Sequence, residues 1–415
     1  MSSDRQQISL DINPAVKRQK GDVYPFVDMQ SVEAGNKYII ASQEKEFRSS
    51  GSRFLSGDTL MARITPCLEN GKISRYRSCD DIPVYGSTEF IVLRRRQSVT
   101  HPEFVYYLTI SDQVKPYAIA QMTRSSGRQK VPVNSFKHLI INLPPLAEQE
   151  AILEILKSLD DKIELNRQMC ETLEKTASTL FKKWLIGFDP VKAKMEGRVS
   201  EGMAPELLDL FPDSFEDSDL GPIPSGWKVK QLGSKFDLLM GQSPSGDTYN
   251  EEQDGIPFFQ GTRDFRFRYP SNRVWCSAPT RIANSGDVLI TVRAPDGDVN
   301  MVFEKVCTGC GFAAVRHKTG ARSYTYYYMK FLGSNFKVYE VGRTVFGSIN
   351  ETDFFKIEAS GFDPENLAEF ESIYSPIDTK IEDISHQIAS LTMMRDNLLP
   401  KLISGELCVE DVGGV

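Results

Sequence analysis

Two segments of the chain place apolar residues in alternating steps of four and three. Ile152, Leu156, Leu159, Ile163, Asn166, Cys170, Leu173, Ala177, Leu180 and Trp184 form the first series. Ile377, Ile381, Ile384, Ile388, Leu391, Arg395, Leu398 and Leu402 form the second, in the same phase at an offset of 218 residues. This period predicts two long helices meeting along a coiled-coil seam, in which Asn166 costs stability and fixes register. Pro144-Pro145 suits the first turn of one helix. Asp363 as N-cap with Pro364 behind it suits the other. Pro376 is expected to kink or delay the second helix. The first helix ends near the second β-rich segment, so a pairing second helix must run back, antiparallel to it. The plainer alternative is two amphipathic helices, each lying on its own β segment.

Elsewhere the pattern changes to short runs of Val, Ile, Phe, Tyr and Thr punctuated by Gly, Pro, Asn and Asp, the signature of strands and turns. These runs recur. "SGDTLMARITP" (Ser56–Pro66) returns as "SGDVLITVRAP" (Ser285–Pro295), and "YPFVDMQ" (Tyr24–Gln30) as "IPFFQGT" (Ile256–Thr262). "EFIVLR" (Glu89–Arg94) matches "GFAAVR" (Gly311–Arg316), and "FVYYL" (Phe104–Leu108) matches "YTYYYM" (Tyr324–Met329). "LFKKWLIG" (Leu180–Gly187) returns as "LLPKLISG" (Leu398–Gly405). Matches this short are weak singly, but their common order identifies a duplicated unit. The expected class is α+β, with two mixed β-rich domains separated by two helices in an antiparallel coiled coil, as a pseudo-two-fold repeat. The expected boundaries are residues 1–145 for the first β domain and 146–190 for the first helix. An acidic linker follows at 191–220, the second β domain at 221–361, and the second helix with a tail at 362–415. Residues 146–186 would span about 60 Å at 1.5 Å per residue. B-DNA presents the same face every 34–36 Å or so, which suits two spaced domains on one duplex.

Charge sharpens this picture. The net charge of −7 argues at first against a polyanionic partner. By segment, residues 1–145 carry 20 basic against 14 acidic residues and residues 221–361 carry 17 against 14. The helices and linker hold the acidic excess, so a polyanion would prefer the β domains. No apolar run approaches the roughly 18 residues of a membrane helix, and "MSSDRQQISL" has no signal-peptide core, so a cytoplasmic chain with no membrane partner is expected. Seven scattered cysteines read as reduced thiols.

Candidate chemistry is sparse. "LENGKIS" has Pro66 where a phosphate loop needs its first glycine, and no Asp/Asn-Pro-Pro-aromatic motif of amino-methyltransferases occurs. His101, His138, His317 and His386 are isolated. "CTGC" (Cys307–Cys310) offers two thiolates where a structural zinc needs four ligands, so a turn is the better reading and no metal is expected. No catalytic residues are assigned.

Binding candidates are cations beside small polar residues. "TRSSGRQK" supplies Arg124, Ser125, Ser126, Arg128, Gln129 and Lys130. "GRTVFGSIN" supplies Arg343, Thr344, Ser348 and Asn350 in the corresponding place of the second unit. Arginine pairs bidentately with guanine, Gln and Asn with adenine, and hydroxyls or amides with phosphate. "GTRDFRFRYP" interleaves Arg263, Arg266 and Arg268 with aromatics, as a contact strip or as an ordinary strand with solvated arginines. Arg63 and Arg293 follow the repeated Ser-Gly-Asp turn, whereas Arg94–Arg96 reads as a solvated edge.

These features together resemble the specificity subunits of Type I restriction–modification systems. The resemblance rests on the two β segments closed by "LPPLAEQ"-type helix entries, on "FPDSFEDSDLGPIPSGWKVKQLG" (Phe211–Gly233), and on "SGRQKVPVN" (Ser126–Asn134). It implies two target-recognition domains, each reading half of a bipartite site in double-stranded DNA, with the helices setting the spacer. It also implies a non-catalytic scaffold that binds no cofactor itself. Two modification subunits would use S-adenosylmethionine to methylate adenine, and restriction subunits would use ATP and Mg²⁺. The first unit lacks the "GPIPSGW" opening, and "GSIN" (Gly347–Asn350) stands where the first unit has "GRQK", so an asymmetric target is expected. The rival classes are an enzyme with undetected motifs and a protein-interaction scaffold with no DNA role.

Overall fold

The computed structural model describes residues 5–7, 10–80, 82–125, 127–198, 200, 203, 205–292, 297–339, 351–360 and 366–409. The chain forms two compact units, Met1–Met169 with Ile384–Val415, and Cys170–Asp383.

In the first unit the strands are β1 (Leu10–Ile12), β2 (Val23–Val27), β3 (Tyr38–Ile39), β4 (Gln43–Glu46), β5 (Ser52–Phe54), β6 (Thr59–Ala62), β7 (Ile73–Tyr76), β8 (Val84–Gly86) and β9 (Phe90–Arg95). They build a five-stranded sheet in the order β1-β9-β6-β7-β3 and a four-stranded sheet in the order β4-β2-β8-β5. Both are mixed, because β2 pairs β8 in parallel (Phe26 opposite Tyr85) and β3 pairs β7 in parallel (Tyr38 opposite Arg75). The five-stranded sheet is buried on both faces. Leu60, Phe90 and Val92 face a core with Val27, Phe54 and Val84 of the other sheet. Met61, Ile91 and Leu93 face helices instead. That burial explains why "TLMA" and "FIVL" are continuous apolar runs rather than alternating ones. The helical side comprises α1 (Phe104–Ile110) and one end of each long helix, where Ile152, Leu153, Leu156, Leu399, Leu402 and Ile403 join the same core. A hairpin of β10 (Thr123–Ser125) and β11 (Arg128–Lys130) precedes the first long helix, α2 (Leu146–Phe181).

The second unit repeats the plan. Its strands are β12 (Phe236–Met240), β13 (Tyr249–Asn250), β14 (Ile256–Phe259), β15 (Trp275–Cys276), β16 (Ile282–Ala283), β17 (Val288–Thr291), β18 (Val299–Met301), β19 (Val306–Thr308) and β20 (Phe312–His317). The sheet orders are β12-β20-β17-β18 and β13-β15-β14-β19-β16. β14 and β19 pair in parallel, Phe258 opposite Cys307, as β2 and β8 do. α3 (Arg322–Tyr339) packs against β17, β18 and β20, as α1 does against β6, β7 and β9. The duplicated turns carry a duplicated ion pair. Arg94 Nη2 lies 2.6 Å from Asp58, and Arg316 Nη2 lies 2.6 Å from Asp287. Arg94 is therefore a latch on the Ser-Gly-Asp turn and not a free edge charge.

The second long helix, α4 (Leu367–Ser404), pairs with α2 in antiparallel sense within each unit. In the first unit Asp160 meets Arg395 at 2.9 Å and Asn166 meets Gln387 at 3.4 Å. In the second, Cys170 Sγ lies 3.9 Å from the Ile381 carbonyl, and the Phe181 and Phe370 rings are 6.0 Å apart. Ile152, Leu156, Ile163, Asn166, Cys170, Ala177, Trp184, Ile381 and Ile384 are buried as the heptads predict. Leu159, Leu173, Leu180, Ile377, Ile388, Leu391 and Leu398 are only half-buried. Asp160, Glu174, Phe181, Asp378 and Leu399, each one position further along the chain than one of these, are buried instead. The stripe is broader than a two-helix seam because each helix also packs on a β head. α4 already begins at Leu367 and runs unbroken through Pro376, which is exposed, so the expected delay of the helix is absent. Water can satisfy the carbonyl one turn back that proline leaves without a donor. Asp363 and Pro364 lie outside the described residues. Residues 189–195 form a short helix that buries Val191 and Ala193.

His317 at the end of β20 is buried, and its Nδ1 accepts the Thr319 amide at 3.2 Å. Burial, followed by the charges of Lys235 and Lys318, lowers its pKa from 6.5 to about 4. An unfolded chain protonates this ring near pH 6.5 while the folded chain keeps it neutral, so stability is full above that pH and falls as pH drops toward 4. The expected loss is about 3 kcal/mol at most. Thermal melts between pH 7.5 and 4.5 should show a shallower acid slope for His317→Gln than for the wild type; equal slopes would exclude this residue as the cause.

Candidate nucleic-acid interface

The loop "TRSSGRQK" is a tight hairpin, with Thr123 opposite Lys130, Arg124 opposite Gln129 and Ser125 opposite Arg128. Gly127 at its tip has φ +83°, a left-handed conformation that suits glycine, and nothing lies within 4 Å of where a Cβ would sit. Backbone bonds tie the base of the hairpin to the segment after β6. The Thr65 amide donates to the Gln129 carbonyl at 3.0 Å, and the Val131 amide donates to the Arg63 carbonyl at 2.8 Å. The Gln129 amide in turn donates to Thr65 Oγ1 at 3.1 Å. Two candidates 65 residues apart, Arg63 and Arg128, thus belong to one local structure. Lys130 is committed to Glu89 at 2.6 Å, and Arg63 buries an Nε that has no hydrogen-bond partner. Among the hairpin's described side chains, Arg128 is exposed and Gln129 half-exposed, so both present donors; those of Arg124 and Ser125 lie outside the description. Ser126 lies outside the described residues.

Glu89 follows Thr88, which lines two adjoining cavities. One, of about 370 Å³, is lined by Asn13, Gly51, Ser52 and Arg53 among others. The next, of about 600 Å³, is lined by Phe26, Lys45, Arg48, Gly51 and Tyr85 among others. Lys45, Arg48 and Arg53 are exposed, and Lys45 Nζ lies 4.0 Å from the Phe26 ring centroid. Sequence reasoning passed over these three cations. The available signal was "RSSGSR" (Arg48–Arg53), which echoes "RSSGR" (Arg124–Arg128).

In the second unit the candidates separate. Arg263 and Arg266 are exposed, and Arg266 Nη1 folds back onto the carbonyls of Arg263 and Phe265 at 3.0 and 2.8 Å. Arg268 cannot contact a ligand outside the protein. It is 1% exposed and pairs with Glu174 and Asp378, each at 2.6 Å. The alternation in "FRFRYP" suggested a strand, but a short 3₁₀ turn at Thr262–Asp264 and irregular backbone occupy the stretch. Arg293, Arg343, Thr344, Ser348 and Asn350 lie outside the described residues. Cys307 is buried on β19, and Cys310 accepts from the Ser243 hydroxyl at 3.5 Å. Among the described residues no group of three or more His, Cys, Asp or Glu is placed to hold a metal, and no helix is long and apolar enough to cross a membrane.

Known proteins are similar to this chain in sequence. The family model described as the Type I restriction modification DNA specificity domain matches residues 12–175. A putative Type I restriction enzyme specificity subunit, MjaX of Methanocaldococcus jannaschii, is 27% identical over 86% of this chain and 80% of its own. The HindI specificity subunit of Haemophilus influenzae is 27% identical over 98% of this chain and 100% of its own. The chain is thus similar to Type I restriction enzyme specificity subunits over most of its length. Among solved structures, the HsdS subunit of Thermoanaerobacter tengcongensis aligns at 26% identity over 93% of this chain and 91% of its own, with a TM-score of 0.35. The segment matched by the specificity-domain model holds the hairpin, Arg63, both cavities and most of α2.

Gly51 has φ +127°, and a Cβ there would lie 2.7 Å from the Gly86 carbonyl oxygen, whereas the surroundings of Gly127 are open. Gly127→Ala should therefore cost about 1 kcal/mol through backbone strain alone. Gly51→Ala should cost clearly more, because the β5–β8 contact must also shift. Urea unfolding of the two variants tests this ranking, and equal losses would contradict it.

Proposed function

We propose that this chain is the non-catalytic DNA-recognition subunit of a Type I restriction–modification complex. Residues 1–145 and 221–361 read the two halves of a bipartite, asymmetric site in duplex DNA. The paired helices, residues 146–190 and 362–415, fix the spacer between the halves. The observation that carries the reading is the duplicated β plan, each copy packed on its own stretch of the two antiparallel helices, in a chain similar to specificity subunits. Catalysis belongs to partners. Two modification subunits holding S-adenosylmethionine methylate adenine, restriction subunits use ATP and Mg²⁺, and the assembly works in the cytoplasm.

On this reading the Thr123–Lys130 hairpin enters the major groove of one half-site. Arg128 and Gln129 present base-directed donors, Arg63 stands at the hairpin's base, and Lys45, Arg48 and Arg53 meet phosphates. In the second unit Arg263 and Arg266 are the described cations for the other half, and Arg293, Arg343, Thr344, Ser348 and Asn350 complete the proposed set there. Arginine at a base edge discriminates by roughly 1–3 kcal/mol, whereas a phosphate contact lowers affinity uniformly and reduces the salt slope.

The deciding experiment maps methylated adenines in the host genome with and without this gene. A single bipartite motif should vanish on deletion, and an unchanged methylome would end the proposal. Replacing residues 1–145 with the first domain of another family member should alter one half of that motif only. Arg128→Ala should relax discrimination in that same half by about tenfold or more, while Arg48→Ala should weaken binding to all sequences alike. Unchanged methylation sites with Arg128→Ala would remove that residue from the reading set.

A further inference from the structure

Each unit contains one buried cluster of ions that the helix seam alone does not require. In the first, the Tyr107 hydroxyl of α1 donates to Asp160 on α2 at 2.5 Å, and Lys37 from the loop before β3 donates to Tyr107 at 2.9 Å. Lys37 also lies 3.8 Å from Asp160. In the second, the Tyr327 hydroxyl of α3 donates to Asp378 on α4 at 3.0 Å, and Arg268 donates to Tyr327 at 3.1 Å. Arg268 Nη2 makes a close ion contact with Asp378 at 2.6 Å, although it is not aligned as a hydrogen bond. All six side chains belong to buried residues.

The duplication accounts for the pattern. Asp160 and Asp378 are 218 residues apart, the same offset that relates the two helices. Tyr107 and Tyr327 occupy the matching runs "FVYYL" and "YTYYYM". Lys37 and Arg268 both come from the segment between the strand that makes the parallel pair (β2, β14) and the Ser-Gly-Asp turn. Both units therefore grip a helix carboxylate with a tyrosine and a cation from the β head. The charge arriving from the opposite helix is not repeated. Arg395 of α4 joins Asp160 at 2.9 Å, but Glu174 of α2 joins Arg268 at 2.6 Å. What the two copies share is the grip of each head on its own helix. Burial and then the Asp160 carboxylate push the Tyr107 phenol far above its ordinary value, which keeps it the proton donor.

We propose that Asp160 with Tyr107 and Lys37, and Asp378 with Tyr327 and Arg268, are positioning residues that lock each recognition head to its helix and so set the fidelity of spacer reading. Apolar side chains slide past one another at little cost. A carboxylate that must meet a hydroxyl and a cation away from water has one acceptable geometry, because any displacement leaves buried charge unpaired. The inference rests on the proposed role of the helices as a spacer.

The test uses the assembled complex with its modification subunits and duplexes bearing the native spacer, one base pair fewer, or one more. Asp160→Asn, Tyr107→Phe, Asp378→Asn and Tyr327→Phe are compared with Ile163→Ala, which removes a buried apolar side chain of the same helix and none of the clusters' polar groups. The cluster variants should lower the ratio of native-spacer to altered-spacer methylation by about tenfold. Ile163→Ala should lower the melting temperature but keep the ratio. The tyrosine variants remove one hydroxyl each, so they keep the test open where an aspartate variant fails to assemble. Wild-type ratios in the folded cluster variants, or an equal fall in Ile163→Ala, would overturn the proposal. A wild-type complex with no spacer preference would instead overturn the spacer role beneath it.

Discussion

The architecture depends on a carboxylate buried where a β head meets a helix. Asp160 and Asp378 are each about 2–3% exposed, and each is held by a tyrosine hydroxyl and a cation. Such clusters are poor sources of stability. Removing charges from water costs several kcal/mol per ion, and their mutual attraction only roughly repays it. Their contribution is geometric. The apolar core formed by Leu153, Leu156, Leu399 and Leu402 supplies the adhesion, and the ions choose one position among the many that adhesion would tolerate.

The same division of labour appears inside each head. The central strands β6 and β9 are covered on both faces, so their positions are fixed by packing that no surface loop can disturb. The hairpin at Thr123–Lys130 hangs from this frame by main-chain bonds to Arg63 and Thr65 and by the Lys130–Glu89 pair. Main-chain anchors do not depend on side-chain identity. Arg128 and Gln129 are therefore held at a defined height while remaining replaceable without loss of the anchor.

Much of the fold was legible in the sequence because it rests on period. Heptad spacing gives the helices and their phase, and repeated runs give the strand plan twice. Period could not locate the ion clusters. Asp160, Glu174 and Asp378 sit one place beyond Leu159, Leu173 and Ile377, and an acidic residue beside a seam ordinarily faces solvent. Only the approach of the head turns that flank inward. Arg268 was misread for the same reason, since its partners lie 94 residues before it and 110 after it. Arg94 was dismissed as a solvated edge although its partner Asp58 lies within the repeated turn. The hairpin was found because glycine, hydroxyls and cations adjoin in sequence as well as in space. Lys45 on β4, Arg53 on β5 and Arg48 between them escaped because this stretch is not among the repeated runs.

An excess of acid over base does not contradict a duplex as ligand. At physiological ionic strength a charge is screened over about 8–10 Å, so a docked phosphate senses the cations near it and not the total of −7. What the acidic helices change is indiscriminate attraction. Non-specific binding grows with every unopposed cation, since each releases counterions from the duplex. In the first head several cations are already spent inside the protein: Lys37 in the buried cluster, Arg94 on Asp58, Lys130 on Glu89. Others stay exposed, both at the hairpin and cavities (Lys45, Arg48, Arg53, Arg128) and away from them (Lys17, Lys20, Arg77, Lys137). Each cation spent inside the protein is one fewer to hold random sequence, which shifts weight toward whatever base contacts the loops form.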